Sequence, residues 1–200
     1  MRLLRLEKNC FSNWCSKLPG GTTMVVQPKI EGYALGLRYK YGQLVDACSR
    51  ENPEIIEIIR TINSIPLSID DSLKVEVELE GVLYSPSQCP NFTKKQSISN
   101  LNKQLVIESS LAFVAFRIFS SNSDELSDLT QLQQWGFEIP ITLRTEDPRQ
   151  VKIWHSQWIK NELFSNFPTD GIVAKCNSSY TKEFLGVTSS SPNWALALTR

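Results

Sequence analysis

The alternation of apolar and polar residues divides most of the chain into short strand-like and helix-like runs. Met24 to Ile30 is an apolar run of strand length, and Tyr33 to Tyr41 follows with Leu35, Leu37 and Tyr39 on one face of a period-two pattern. Gln43 to Ser49 continues after the Gly42 turn, so these runs predict an antiparallel hairpin. Asn52-Pro53-Glu54 then supplies a cap, a first-turn proline and a first-turn acid, and Ile55, Ile56, Ile59 and Ile62 follow at helical spacing. A helix is expected from Pro53 to Asn63. Val75, Val77 and Leu79 alternate with Glu76, Glu78 and Glu80, which predicts a half-buried strand to Tyr84 whose acidic face is solvated or turned to a site.

Residues 85–104 are polar and read as loop with at most a short helix. Leu111 to Phe119 is a strongly apolar strand candidate. Ser123 can cap a helix carrying Leu126, Leu129, Leu132 and Trp135, with Gly136 as its stop. Phe137 to Leu143 reads as a strand, and Pro148 opens a helix presenting Val151, Trp154, Trp158 and Leu163. On that helix the single histidine, His155, reads as a surface residue. Gly171 to Asn177 and Trp194 to Leu198 close the chain as short strands. Antiparallel strands interrupted by separate helices, with no βαβ rhythm, indicate an α+β domain with helices packed outside one or two sheets. Without a repeat or a long linker, residues 1–23 read as a lead-in and 24–200 as one compact domain.

Composition narrows the function classes. Hydrophobic residues at 41% and charged ones at 21% are globular values, and the longest apolar runs, such as Leu111 to Phe116, are far too short to cross a bilayer. The amino terminus has no apolar segment of the secretory kind, so a cytoplasmic protein is expected. Lys plus Arg equals Asp plus Glu at 21 each, which argues against tight, autonomous DNA binding. Cys10, Cys15, Cys48, Cys89 and Cys176 are odd in number and lack the spacing of a zinc knuckle, so they read as reduced thiols, and no metal-ligand set is expected.

Gln27-Pro28-Lys29-Ile30-Glu31-Gly32 places a lysine at the end of an apolar strand beside an acid and a glycine. A strand-edge lysine snorkelling to solvent is the plain reading of that segment alone. A nucleophilic lysine must be neutral, and desolvation with a second cation nearby favours the neutral form. Asp170-Gly171-Ile172-Val173-Ala174-Lys175 supplies such a cation in another apolar strand with an acid and a glycine.

Together these segments resemble motifs of the covalent nucleotidyltransferases, the family of DNA ligases, RNA ligases and capping enzymes. Lys29-Ile30-Glu31-Gly32 is similar to the family's lysine, any residue, aspartate, glycine motif. The branch most resembled is the adenylation domain of NAD-dependent DNA ligases. Ser49-Arg50, Arg60 to Pro66, Glu78 to Tyr84, Phe113 to Phe116, Leu132 to Pro140 and Thr169 to Leu198 follow its segments in order. An RNA ligase or capping enzyme shares only the two lysine motifs.

The resemblance implies an ATP-grasp-like nucleotidyltransferase fold and transfer of AMP from NAD, with Mg as a further cofactor of catalysis. Lys29 would be the nucleophile and Lys175 a phosphate contact. Gln27 would meet the adenine edge, Glu31 the ribose or Lys29, Arg50 phosphate or ribose, and Phe116 would stack on adenine. Departures accompany these matches. The family's acid after the motif III glycine falls on Val82, and its motif V lysine falls on Thr199, with Arg200 a displaced substitute. Impaired catalysis is therefore expected, or else use of the fold as a non-catalytic nucleotide-binding or protein-interaction module. The domains that recognise the nicotinamide half of NAD and embrace nicked DNA are not among these residues, so DNA contact is expected to be weak or to come through a partner chain.

Overall fold

A computed structural model describes residues 6, 10–49, 55–70, 76–86, 111–119, 121–188 and 191–200. The chain forms two compact units, one from residues 31–121 with 128–139 and the other from residues 4–30 with 122–127 and 140–200. Each contains a four-stranded antiparallel sheet with helices, as the α+β reading expects. The expected capping by Asn52-Pro53-Glu54, Val75, Arg50, Cys89 and most of the 85–104 loop lie outside the described residues.

In the first unit the strands are β2 (Tyr33–Lys40), β3 (Gln43–Ser49), β4 (Glu76–Tyr84) and β5 (Ala112–Ile118), in the order β3-β2-β4-β5. Lys40 pairs with Gln43 across Tyr41 and Gly42, both at positive φ (47° and 76°), the backbone of a tight two-residue hairpin. Cross-strand partners share a sheet face. Leu35, Leu37 and Tyr39 therefore lie with Val77, Leu79 and Leu83, and all six are buried. Buried Phe113 and Tyr39 both meet the Phe137 ring edge-on, at 6.0 and 6.2 Å between centroids. A short helix, α2 (Ile56–Ile59), contributes Ile59 to the buried set.

Helix α3 (Glu125–Gln134) begins in the second unit's residues and continues into the first, where Leu129, Leu132 and Trp135 are buried. Gly136 ends it at φ +88°, a value that favours glycine. The second unit holds β1 (Met24–Ile30), β6 (Leu143–Thr145), β7 (Thr169–Cys176) and β8 (Ala195–Leu198), ordered β6-β1-β7-β8. Its helices are α1 (Phe11–Cys15), α4 (Pro148–Ile159) and α5 (Ser179–Leu185). Asp147 caps α4 by accepting from the Arg149 N–H at 2.9 Å, and Pro148 occupies the first turn, where a missing donor costs nothing.

Several expectations differ from what the structure shows. β1 pairs with β6 and β7, so it is not part of a hairpin with β2, because its apolar residues find partners far along the chain. Phe137 to Leu143 is not a strand: only Glu138 makes a bridge, to Val114, and the next strand starts at Leu143. Phe137 instead carries one large side chain into the core, a role that mimics strand hydrophobicity in the sequence. Of the described part of the expected helix, residues 55–63, α2 covers Ile56–Ile59, with turns following it to residue 65. His155 is half-buried on α4 and stacked on Trp158 at 5.7 Å.

Candidate functional site

The register of the second unit's sheet decides what its two faces carry. Val25 stands opposite Lys175, Val26 opposite Ala174, Gln27 opposite Val173 and Pro28 opposite Ile172. Since side chains alternate along a strand, Met24, Val26, Ile172, Ala174, Cys176 and Leu196 occupy one face. That face is the apolar core, filled out by Phe11, Trp14, Val151, Trp158 and Phe164. The opposite face takes Val25 and Gln27 from β1, with Lys29 continuing the alternation, and Val173 and Lys175 from β7. Both lysines singled out by sequence thus stand on the same side of adjacent strands. Lys175 is level with Val25, four residues from Lys29, which sets their Cα atoms roughly 13 Å apart along the strand at about 3.3 Å per residue.

Each lysine is held by a carboxylate. Lys29 Nζ donates to Asp170 Oδ1 at the bulge where the β1–β7 register shifts, and both side chains are about a quarter exposed (22% and 26%). Lys175 Nζ donates to Glu125 Oε1 at 2.5 Å, and Lys182 Nζ to Glu125 Oε2 at 2.6 Å. Burial opposes ionisation of Glu125 and is the largest single influence on it. The charges of Lys175 and Lys182 and their hydrogen bonds together outweigh it and hold the carboxyl below its ordinary value. Asp170, Glu125 and Lys182 were not among the residues expected from sequence to form the site. For Glu125 a signal exists: it lies four residues before Leu129 on a helix, so it continues a buried stripe as an acid.

The remaining expected residues fall as follows. Gln27 is 2% exposed, and its amide donates to Thr142 Oγ1 at 3.0 Å. Glu31 is exposed, just before β2 in the first unit. Phe116 is half-buried on β5, between Ala115 opposite Gly81 and Arg117 opposite Glu80. It is therefore the extra residue of a β-bulge, a place where a strand re-aims a side chain, whereas Phe113 is fully buried. Val82 lies on the same face of β4 as Glu80, which is buried and 3.7 Å from Arg117, while Arg38 meets Glu78 at 3.0 Å. The acidic face of β4 is thus matched by cations.

Thr199 continues the alternation of Ala195 and Ala197 on the lysine side. Its Cγ2 would lie 3.1 Å from a Cβ placed on Gly171, which itself would meet the Leu198 carbonyl oxygen at 2.4 Å. Gly171 is required for this close approach of β8. The guanidinium of Arg200, the displaced candidate for the motif V lysine, lies 5.5 Å from the Trp158 ring and donates to the Ile159 carbonyl. Cys10, Cys15, Cys48 and Cys176 are free, and burial pushes the Cys176 thiol up to about 12. Among the described residues no group of three or more His, Cys, Asp or Glu side chains could hold a metal, and no helix is long and apolar enough to cross a membrane.

The profile of the NAD-dependent DNA ligase adenylation domain matches residues 8–103 and 90–199. The chain belongs to this family. DNA ligase of Mycoplasma genitalium is 29% identical over 194 residues, covering 86% of this chain and 29% of that protein. DNA ligase of Mycoplasma capricolum is 30% identical over 201 residues, covering 86% and 30%. The chain therefore spans about a third of the length of these relatives. Among solved structures, an archaeal ATP-dependent RNA ligase superposes with a TM-score of 0.64 at 13% identity, over 98% of this chain and 48% of that one. A Naegleria gruberi RNA ligase with PPi gives 0.59 at 15% identity, over 100% and 56%. These likenesses show the ligase-type nucleotidyltransferase fold.

Proposed function

We propose that residues 24–200 form one adenylation domain that binds an adenine nucleotide and accepts AMP on Lys29, with slow or partner-dependent turnover. The observation that supports this best is the placement of Lys29 and Lys175 on one face of adjacent strands, each beside a carboxylate. In the step itself the neutral Nζ of Lys29 attacks the α-phosphorus. A P–N bond forms, the P–O bond to nicotinamide mononucleotide or pyrophosphate breaks, and Nζ gives up its proton. Asp170, already hydrogen-bonded to that nitrogen, is the acceptor in place. Lys175 stabilises charge on the phosphate oxygens. Phe116 is proposed to stack on adenine, with Gln27, Glu31 and Arg50 as further nucleotide contacts.

A divalent ion such as Mg would neutralise phosphate charge when bound. The described carboxylates near the lysines are committed to ion pairs, so the ion would arrive on the nucleotide and not in a cage of protein ligands. Contact with DNA is proposed to come through a partner chain, in the cytoplasm.

Mass spectrometry after incubation with ATP or NAD tests this reading. A slowly formed adenylate adduct on Lys29, lost in Lys29→Ala, is expected. Val82→Glu with Thr199→Lys should speed its formation by about 100-fold or more, the usual worth of one electrostatic contact to a phosphoryl centre. If the restored protein is folded, binds nucleotide and still forms no adduct, the catalytic reading fails. The domain is then a non-catalytic binding module, the alternative that the uncharged Val82 and Thr199 favour.

A further inference from the structure

A second cation stands beside Lys175 that neither the sequence motifs nor the family match assigns to the site. Lys182 on α5 and Lys175 on β7 hold the two oxygens of the same Glu125 carboxylate, at 2.6 and 2.5 Å. The three side chains are ordered by depth: Glu125 is 4% exposed, Lys175 8% and Lys182 16%. The group therefore carries a net charge of one positive, with its negative member deepest and its positive members nearer water. The Lys182 ammonium has three donors, more than one carboxylate oxygen takes from it.

The arrangement is also fixed in advance. Glu125 is fastened by its own N–H to the Asn177 carbonyl at 2.8 Å, and the next N–H, of Leu126, is capped by Asn177 Oδ1 at 3.1 Å. Asp124 Oδ1 accepts from the Ser179 N–H at 2.9 Å, which ties the start of α3 to the start of α5. The Lys182 ammonium further lies 5.2 Å from the centroid of the buried Trp194 ring. A surface lysine loses rotamer freedom when it captures an anion. Lys182 has already lost most of that freedom on folding.

We propose that Lys182 and Lys175 form a two-cation site for the phosphate chain of a nucleotide or for inorganic pyrophosphate, with Glu125 as the positioning residue that sets the two ammonium groups side by side. This rests on the reading of Lys175 as a phosphate contact, and does not require that Lys29 react.

Calorimetric titration of the full chain with pyrophosphate, and separately with AMP, tests it. Wild type should bind both. Lys182→Met should weaken each by about tenfold, the worth of one charge-assisted hydrogen bond. Lys182→Arg, which keeps the charge, should stay within about twofold by the same reasoning. Lys152→Met, at a lysine of α4 that stands over the Phe11 ring, should change nothing. Lys182→Gln, which retains a donor to Glu125, serves if the methionine variant does not fold, with the same loss expected. Failure of wild type to bind either anion would overturn the proposal, as would a folded Lys182→Met or Lys182→Gln with wild-type affinity. Absence of an adduct on Lys29, with Lys182-dependent pyrophosphate binding intact, would sink the catalytic reading alone.

Discussion

Replacing Glu125 by alanine removes the carboxylate that Lys175 and Lys182 share. Lys182, at 16% side-chain exposure, can turn toward water, but Lys175 at 8% keeps a buried ammonium without its carboxylate. Breaking a buried ion pair from one side typically costs about 3–5 kcal/mol. Lys182's escape puts the expectation at the lower end, about 3 kcal/mol, or roughly 6–12 °C in the unfolding midpoint of a chain of this size. Thermal and urea unfolding followed by circular dichroism measure it. Because Glu125 in the fold titrates below its ordinary value, its contribution is full above the carboxylate's unfolded pKa and fades as pH falls toward the folded one. The gap between wild type and Glu125→Ala should thus be widest near neutrality and close under acid conditions. Glu125→Leu combined with Lys175→Met should recover at least half of the loss, since no charge is then left buried. A single variant within about 0.5 kcal/mol of wild type, the range of an ordinary surface substitution, would refute the buried-triad reasoning. So would a double variant whose losses simply add.

The two phenylalanines of β5 should separate cleanly. Phe113→Ala is expected to cost about 3–5 kcal/mol in unfolding experiments, since it empties a fully buried site. Phe116→Ala, at a half-buried bulge position, should cost far less while weakening AMP binding several-fold by calorimetry, about the worth of one aromatic stack. Gly171→Ala would drive a Cβ to 2.4 Å from the Leu198 carbonyl oxygen, so β8 must shift. A stability loss of about 1–3 kcal/mol is expected from that overpacking, seen as a lower urea midpoint.

Much of this protein was legible from sequence because the information is local. Leu35, Leu37 and Tyr39 alternate with less apolar residues, and a half-buried strand imposes that period wherever it sits. Gly42 and Gly136 mark a hairpin and a helix end because both need positive φ. The lysine motifs were also legible, as short ordered matches to a family that the chain proves to belong to. What the sequence could not settle is pairing. The apolar run of β1 satisfies a neighbour at 33–40 and one at 169–176 equally well by pattern, and only closure of a complete sheet selects β7 and β6. Phe137 looks like the start of a strand because one buried aromatic has the same hydrophobicity in either setting. The charges of the site depended most on tertiary structure. Glu125, Asp170 and Lys182 lie 50, 141 and 57 positions from the partners they hold, and periodicity carries no information over such distances. A buried acid is tolerable only when cations reach it, so the identity of Glu125 is explained by Lys175 and Lys182, which the fold alone brings to it.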